Sequence, residues 1–180
     1  MPTTPADVLT FWRAAGPDLW FEKDDALDHE IRARFLDTYA AAAAGRLAAW
    51  EEDAEGALAL VIVLDQFPRN MFRGEARTFA ADPLARAAAD RAIARGFDAR
   101  YVPPERRFFC LPFMHAENLA DQERCIALCR AADDEEGVKH AQIHADIIRR
   151  FGRFPHRNRM LERATTVDEQ AFLDGGGFAG

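Results

Sequence analysis

Ala57-Leu58-Ala59-Leu60-Val61-Ile62-Val63-Leu64-Asp65-Gln66-Phe67-Pro68-Arg69-Asn70 carries the decisive signal of this chain: an unbroken apolar run that meets a Phe-Pro step and then turns basic and polar. Eight consecutive apolar residues are too few to cross a bilayer, which takes about 20. They could form a buried strand, but the Ala and Leu content and the neighbouring sequence favour a buried helix. Proline cannot donate a backbone hydrogen bond and biases the residue before it toward extended geometry. The helix is therefore predicted to stop at Pro68. The stretch has an imperfect echo in Ile147-Ile148-Arg149-Arg150-Phe151-Gly152-Arg153-Phe154-Pro155-His156-Arg157-Asn158. At one constant offset Leu60 aligns with Ile147, Val61 with Ile148, Leu64 with Phe151 and Phe67-Pro68 with Phe154-Pro155. Asn70 and Asn158 align after one inserted residue. The pair suggests a duplicated helical unit ending in a rigid turn, although two copies are weak evidence for a regular solenoid.

Outward from this stretch, strand signals are almost absent and helical ones recur. Thr4 and Pro5 read as the cap and first residue of a helix to about Ala15, stopped by Gly16-Pro17. Asp24 or Asp25 can cap a second helix, in which Leu27, Ile31, Phe35 and Tyr39 repeat every four residues. Asp82-Pro83 reads as a cap followed by proline, opening a helix that Gly96 closes. Pro103-Pro104 opens a short helix closed by Pro112, and Asn118 begins another that runs to Ala132. Asp133-Asp134-Glu135-Glu136 reads as a solvated loop before a helix over Val138 to Phe151. A last helix near Val167 to Leu173 precedes a Gly-rich tail, 175–180, expected to fray. The expectation is an all-α fold of about eight helices joined by short connections into antiparallel hairpins, one domain over 1–174.

Composition narrows the function. The 180 residues are 49% hydrophobic, with 14 Phe, enough for a substantial core. Acidic residues outnumber basic ones, 30 to 23, for a net charge of −7. Such a balance argues against a nucleic-acid partner, because phosphate neutralisation needs a basic surface. No leader peptide or membrane span is legible, and Cys110, Cys125 and Cys129 do not form a disulfide framework, so a cytoplasmic setting is expected. No phosphate loop, nucleophile elbow or dinucleotide fingerprint is present, and no cofactor is implied.

Asp65-Gln66-Phe67-Pro68-Arg69-Asn70-Met71-Phe72-Arg73-Gly74 resembles the signature of a bacterial family known as domain of unknown function 924. Further stretches are similar to the same family: Phe109 to Glu117 with its Met114-His115-Ala116-Glu117, Phe151 to Asn158, and Thr165-Thr166 to Leu173. Val8-Leu9-Thr10-Phe11-Trp12 and Trp20-Phe21 fit it too. The resemblance implies an all-helical, tetratricopeptide-like array. It brings no assigned reaction and no catalytic residues.

Three functional readings follow from the residues. In the first, a binding module holds a small anionic molecule or a carboxylate-bearing peptide. Gln66, Arg69, Asn70, Arg153, His156, Arg157 and Asn158 would meet the anion, because Arg presents a planar fork of donors and Asn both donates and accepts. Phe67, Phe154 and Trp20 would shape the wall. In the second, a hydrolase uses His115 with Glu117 and His144 as acid and base. In the third, the chain is an assembly protein, and a homodimer stays open. The cluster Arg149, Arg150, Arg153, Arg157, Arg159 and Arg163 fits either an anion-binding wall or a solvated face paired with acids. His140 and His144 share a helix face, but the Glu of a zinc-protease motif is missing and no metal is expected. Cys125 and Cys129 read as part of a core stripe.

Overall fold

The computed structural model describes residues 2–178. Among them nine α-helices alternate with short 3-10 turns and there is no strand. The helices are α1 (Pro5–Ala15), α2 (Pro17–Trp20), α3 (Asp25–Ala43), α4 (Ala54–Met71), α5 (Asp82–Ala94), α6 (Leu111–Met114), α7 (Leu119–Ala131), α8 (Glu135–Phe151) and α9 (Val167–Asp174). The Thr4 hydroxyl accepts from Asp7 N while the Asp7 carboxylate takes Thr4 N, a reciprocal cap on α1. Asp24 and Asn118 cap α3 and α7 through their side chains. None of the helices is long and apolar enough to cross a membrane.

The apolar run is the core of α4, and the helix is buried almost all round. It packs against α1, α3, α5 and α6. A linear stack differs, since each unit there touches only its neighbours. Leu27, Ile31, Phe35 and Tyr39 line the buried face of α3, as their spacing requires. Phe67 sits at the centre, its ring 4.9 Å from Phe35, 5.7 Å from Trp12 and 6.5 Å from Phe11. Cys110, Cys125 and Cys129 are free and buried. A second, smaller apolar cluster gathers Ile147, Ile148 and Phe154 with Leu119, Phe151, Phe172 and Phe178.

Four local expectations are corrected. Pro68 does not stop α4, which continues to Met71 with the proline inside it. The carbonyl of Pro68 accepts from Phe72 N, and the Arg69 Nη1 donates to the Asp65 carbonyl at 2.6 Å, so a side chain serves a backbone acceptor near the break. Burial on every side fixes this turn against the local preference. Phe154-Pro155, by contrast, follows a true helix end: α8 stops at Phe151, Gly152 adopts φ 71° and Pro155 opens a single 3-10 turn. The two Phe-Pro steps are thus not structurally equivalent. Asp82 is not the cap of α5; it is the first helical residue, and its carboxylate turns to Arg69. Asp134 is not in a solvated loop; it is buried against Arg107 and caps α8 at Gly137 N. Finally, the Gly-rich segment is not loose up to Phe178, whose ring packs on His144 and His156. The last two residues, 179–180, lie outside the described part.

Candidate functional site

A buried charged centre forms where α4, α5, α8, the segment after α6 and the 155–157 turn meet. Asp65 lies on α4, fully buried. Its Oδ1 is 2.9 Å from His115 Nδ1, and Gln66 Nε2 donates to its Oδ2 at 2.6 Å. One helical turn on, Arg69 grips Asp82 with two parallel bonds, Nη1 to Oδ1 at 2.9 Å and Nη2 to Oδ2 at 3.1 Å. Planar fork-to-carboxylate geometry of this kind is the strongest use of arginine. Burial alone would raise the Asp65 carboxyl, but Arg69, His115 and Gln66 outweigh it and hold it down at about 2. Asp65 is therefore a fixed anion. With the carboxylate accepting from Nδ1, His115 is oriented and its Nε2 is left as a bare base. Burial and Arg69 keep the ring's affinity for a proton below the usual histidine range, against the pull of Asp65.

Arg157 is treated differently. It is 6% exposed and its guanidinium carbon is stacked between the Phe79 and Phe154 rings, 4.4 and 4.5 Å from their centroids. Its nearest carboxylate, Asp82, is 3.7 Å away and already held by Arg69. The Arg157 Nε is buried with no hydrogen-bond partner among the described residues. Burial and repulsion from Arg69 push its pKa down to about 10, against the attraction of Asp82 and Glu117. A buried cation with a spare donor costs free energy unless an anion completes it.

Two more histidines border this cation. His144, on α8, has Nδ1 2.8 Å from the His140 carbonyl, which fixes Nδ1 as the protonated nitrogen. The buried Nδ1 of His156 has no partner among the described residues. Burial is the main cause that lowers both, with Arg157 adding to it: His144 falls to about 4 and His156 to about 3. Unfolded, each would titrate near 6.5. Between pH 6.5 and 4 the unfolded chain therefore binds protons that the folded chain refuses, so stability falls as pH falls. Urea unfolding is expected to show a loss of about 2–4 kcal/mol from pH 7 to pH 4.5. His156→Gln should remove roughly half of that slope, and an unchanged slope would show that His156 is not held neutral.

The residues predicted from sequence divide into two groups. Gln66, Arg69, His115, His144, His156 and Arg157 come together. The rest are engaged elsewhere. Asn70 Nδ2 donates to Asp28 Oδ1, together with Arg73, on the α3 side. Arg153 clasps Glu169 through Nε and Nη2, and Asn158 Nδ2 reaches the same carboxylate at 3.2 Å, so both fasten α9. Trp20 stacks on Trp12 and donates Nε1 to the Trp12 carbonyl, inside the main core. Glu117 does not meet His115. It accepts from Phe154 N and from both terminal nitrogens of Arg163, and Arg163 and the Phe154 amide hold it below the usual carboxylate range despite burial. His115, Glu117 and His144 thus share no hydrogen bond, and the acid bonded to His115 is Asp65. Arg149, Arg153 and Arg163 each have a carboxylate partner. Among the described residues Arg150, Arg157 and Arg159 have none in hydrogen-bond range, and of these three only Arg157 is buried.

Asp65, Asp82, Phe79 and Phe178 escaped sequence reading. The spacing of Asp65 and Arg69, four apart on a helix, was the one available signal for the first of them. Among the described residues no group of three or more His, Cys, Asp or Glu side chains is arranged to hold a metal ion. Two surface grooves, about 400 Å³ beside α7 and α8 and about 700 Å³ between α1 and α3, contain none of the centre's residues. Within the centre, the side chains of His115 and Arg69 remain 15% and 19% exposed.

Fold and centre together define an all-helical protein with a buried ionic hub. The chain belongs to the bacterial family of unknown function DUF924, whose profile matches residues 8–177. A solved structure of a protein of unknown function from Agrobacterium tumefaciens, ATU0120, is 50% identical and superposes with a TM-score of 0.92 over 96% of this chain and 97% of that one. No curated protein is matched.

Proposed function

We propose that this protein binds a small anion, a carboxylate or phosphate group, at Arg157. The observation that carries the reading is a buried guanidinium with an unpartnered Nε whose nearest acid is committed to another arginine. His156, with its own unpartnered nitrogen, stands next in the chain. Arg69 and Asp82 fix the rim, and Phe79 and Phe154 hold the guanidinium plane. A structural arginine would be paired off, as Arg153, Arg163 and Arg107 are.

Calorimetric titration with inorganic phosphate and with acetate tests this. Arg157→Met keeps the stacked stem and removes the charge. It is expected to weaken binding by roughly tenfold or more, since a charge-assisted hydrogen bond contributes about 1.5–3 kcal/mol. The same variant should unfold at an unchanged or higher temperature, because the buried charge it removes shares its nearest carboxylate, Asp82 at 3.7 Å, with Arg69. A variant that fails to fold, or that binds both anions as the parent does, overturns the reading. Asp65 and His115 favour one alternative outcome: loss of a supplied phosphate monoester over time, abolished by His115→Gln, would move the assignment from binding to hydrolysis.

A further inference from the structure

We infer that the ligand is an aromatic acid, and that in this structure the chain's own Phe178 occupies the seat of its ring. This rests on the anion reading of Arg157. The ring of Phe178 is 4.5 Å from the His144 ring at 62° and 5.3 Å from the His156 ring at 76°, both edge-to-face. Phe154 closes the same space, 5.5 Å from His144 and 5.6 Å from His156. Such contacts suit an aromatic ring better than an aliphatic one.

The other side of the argument is Phe154 itself. Its ring also packs on the Arg157 guanidinium at 4.5 Å. One phenylalanine thus borders both the aromatic seat and the cation whose nearest acid, Asp82, is held by Arg69. The His156 ring, whose buried Nδ1 has no partner among the described residues, lies 5.6 Å from Phe154 and 5.3 Å from Phe178. A ligand with a ring where Phe178 lies and an acidic group on a short arm would satisfy all three. Phe178 supplies the ring and brings no carboxylate of its own to Arg157.

The approach of Phe178 is built into the chain. Gly176 takes φ 76°, and a Cβ on Gly177 would sit 2.6 Å from both the ring and the carbonyl oxygen of Phe172. Gly177 N donates to that carbonyl at 3.0 Å. Only glycine lets the backbone pass so close over the end of α9. The segment is therefore aimed at the seat, and an exogenous ring must displace it.

The test is calorimetry with acetate, benzoate, phenylacetate and phenylpropanoate on the whole chain and on Phe178→Ala. The aryl acids are expected to bind more tightly than acetate. Phe178→Ala should strengthen the best of them by roughly tenfold, the benefit of an emptied aromatic site, and leave acetate unchanged. Arg157→Met should abolish both. If acetate and phosphate bind through Arg157 but the aryl acids gain nothing in either chain, this inference fails and the anion reading stands. Aryl acids that bind independently of Arg157 overturn it as well. If none of the probes binds, both fall. The comparison of aryl acids with acetate on the parent chain decides the matter even should Phe178→Ala not fold.

Discussion

Replacing Arg107 with Ala is expected to destabilise the protein by about 3–5 kcal/mol, the usual cost of stranding one member of a buried ion pair. Arg107 and Asp134 are only 7% and 5% exposed. The guanidinium grips the carboxylate twice, Nε to Oδ2 at 2.7 Å and Nη2 to Oδ1 at 2.6 Å. Asp134 Oδ1 also accepts from Gly137 N, capping α8. Despite burial, the Arg107 ion pair and the Gly137 amide hold the Asp134 carboxyl below its ordinary range. Without Arg107 the acid must either stay charged and unpaired or take up a proton, and both cost stability. Urea unfolding at neutral pH measures the loss. The double variant Arg107→Met with Asp134→Asn should recover most of it, because Asn still caps the helix and no buried charge remains. Were Asp134 in a solvated loop, as its Asp-Asp-Glu-Glu setting suggests, Arg107→Ala would change stability by about 0.5 kcal/mol or less.

Phe67→Ala is the second large effect, about 3–5 kcal/mol, the range for emptying a buried aromatic site. The ring is fully buried among Phe11, Trp12 and Phe35, which come from two different helices and cannot all close on the cavity. Stability should collapse, whereas phosphate binding by the remaining folded protein should persist, since Phe67 packs among Phe11, Trp12 and Phe35 while Arg157 packs on Phe79 and Phe154. Urea denaturation and calorimetry on the same preparation separate the two readouts. A modest stability change with lost phosphate binding would instead make Phe67 a wall of the ligand site, as its place in the Phe-Pro motif suggests.

These contrasts show where reading the sequence succeeds. Thr4, Asp24 and Asn118 act as caps because capping is settled within three residues. The buried stripe of α3 follows from helical period alone, so Leu27 through Tyr39 could be placed without a partner in view. The membership of Arg69, His115, His144, His156 and Arg157 in one centre was legible only as residue types near helix breaks. Arg153, Asn70 and Asn158 carry the same types and face elsewhere, because Glu169 and Asp28 claim them. Nothing local distinguishes an arginine with an acid waiting across the fold from one without.

The opening stretch divides the same way. Its composition determined by itself that residues 57–64 are buried and favoured a helix over a strand, since eight apolar residues rich in Ala and Leu have no polar face to leave in water. That the helix carries on through Pro68, that Asp65 orients His115, and that Arg69 takes Asp82 and leaves Arg157 short of an anion were decided only by tertiary structure. The physical reason is range. Helix propensity and capping act over one turn of chain, whereas the pairing of buried charges depends on which distant side chains the packing brings within hydrogen-bond distance.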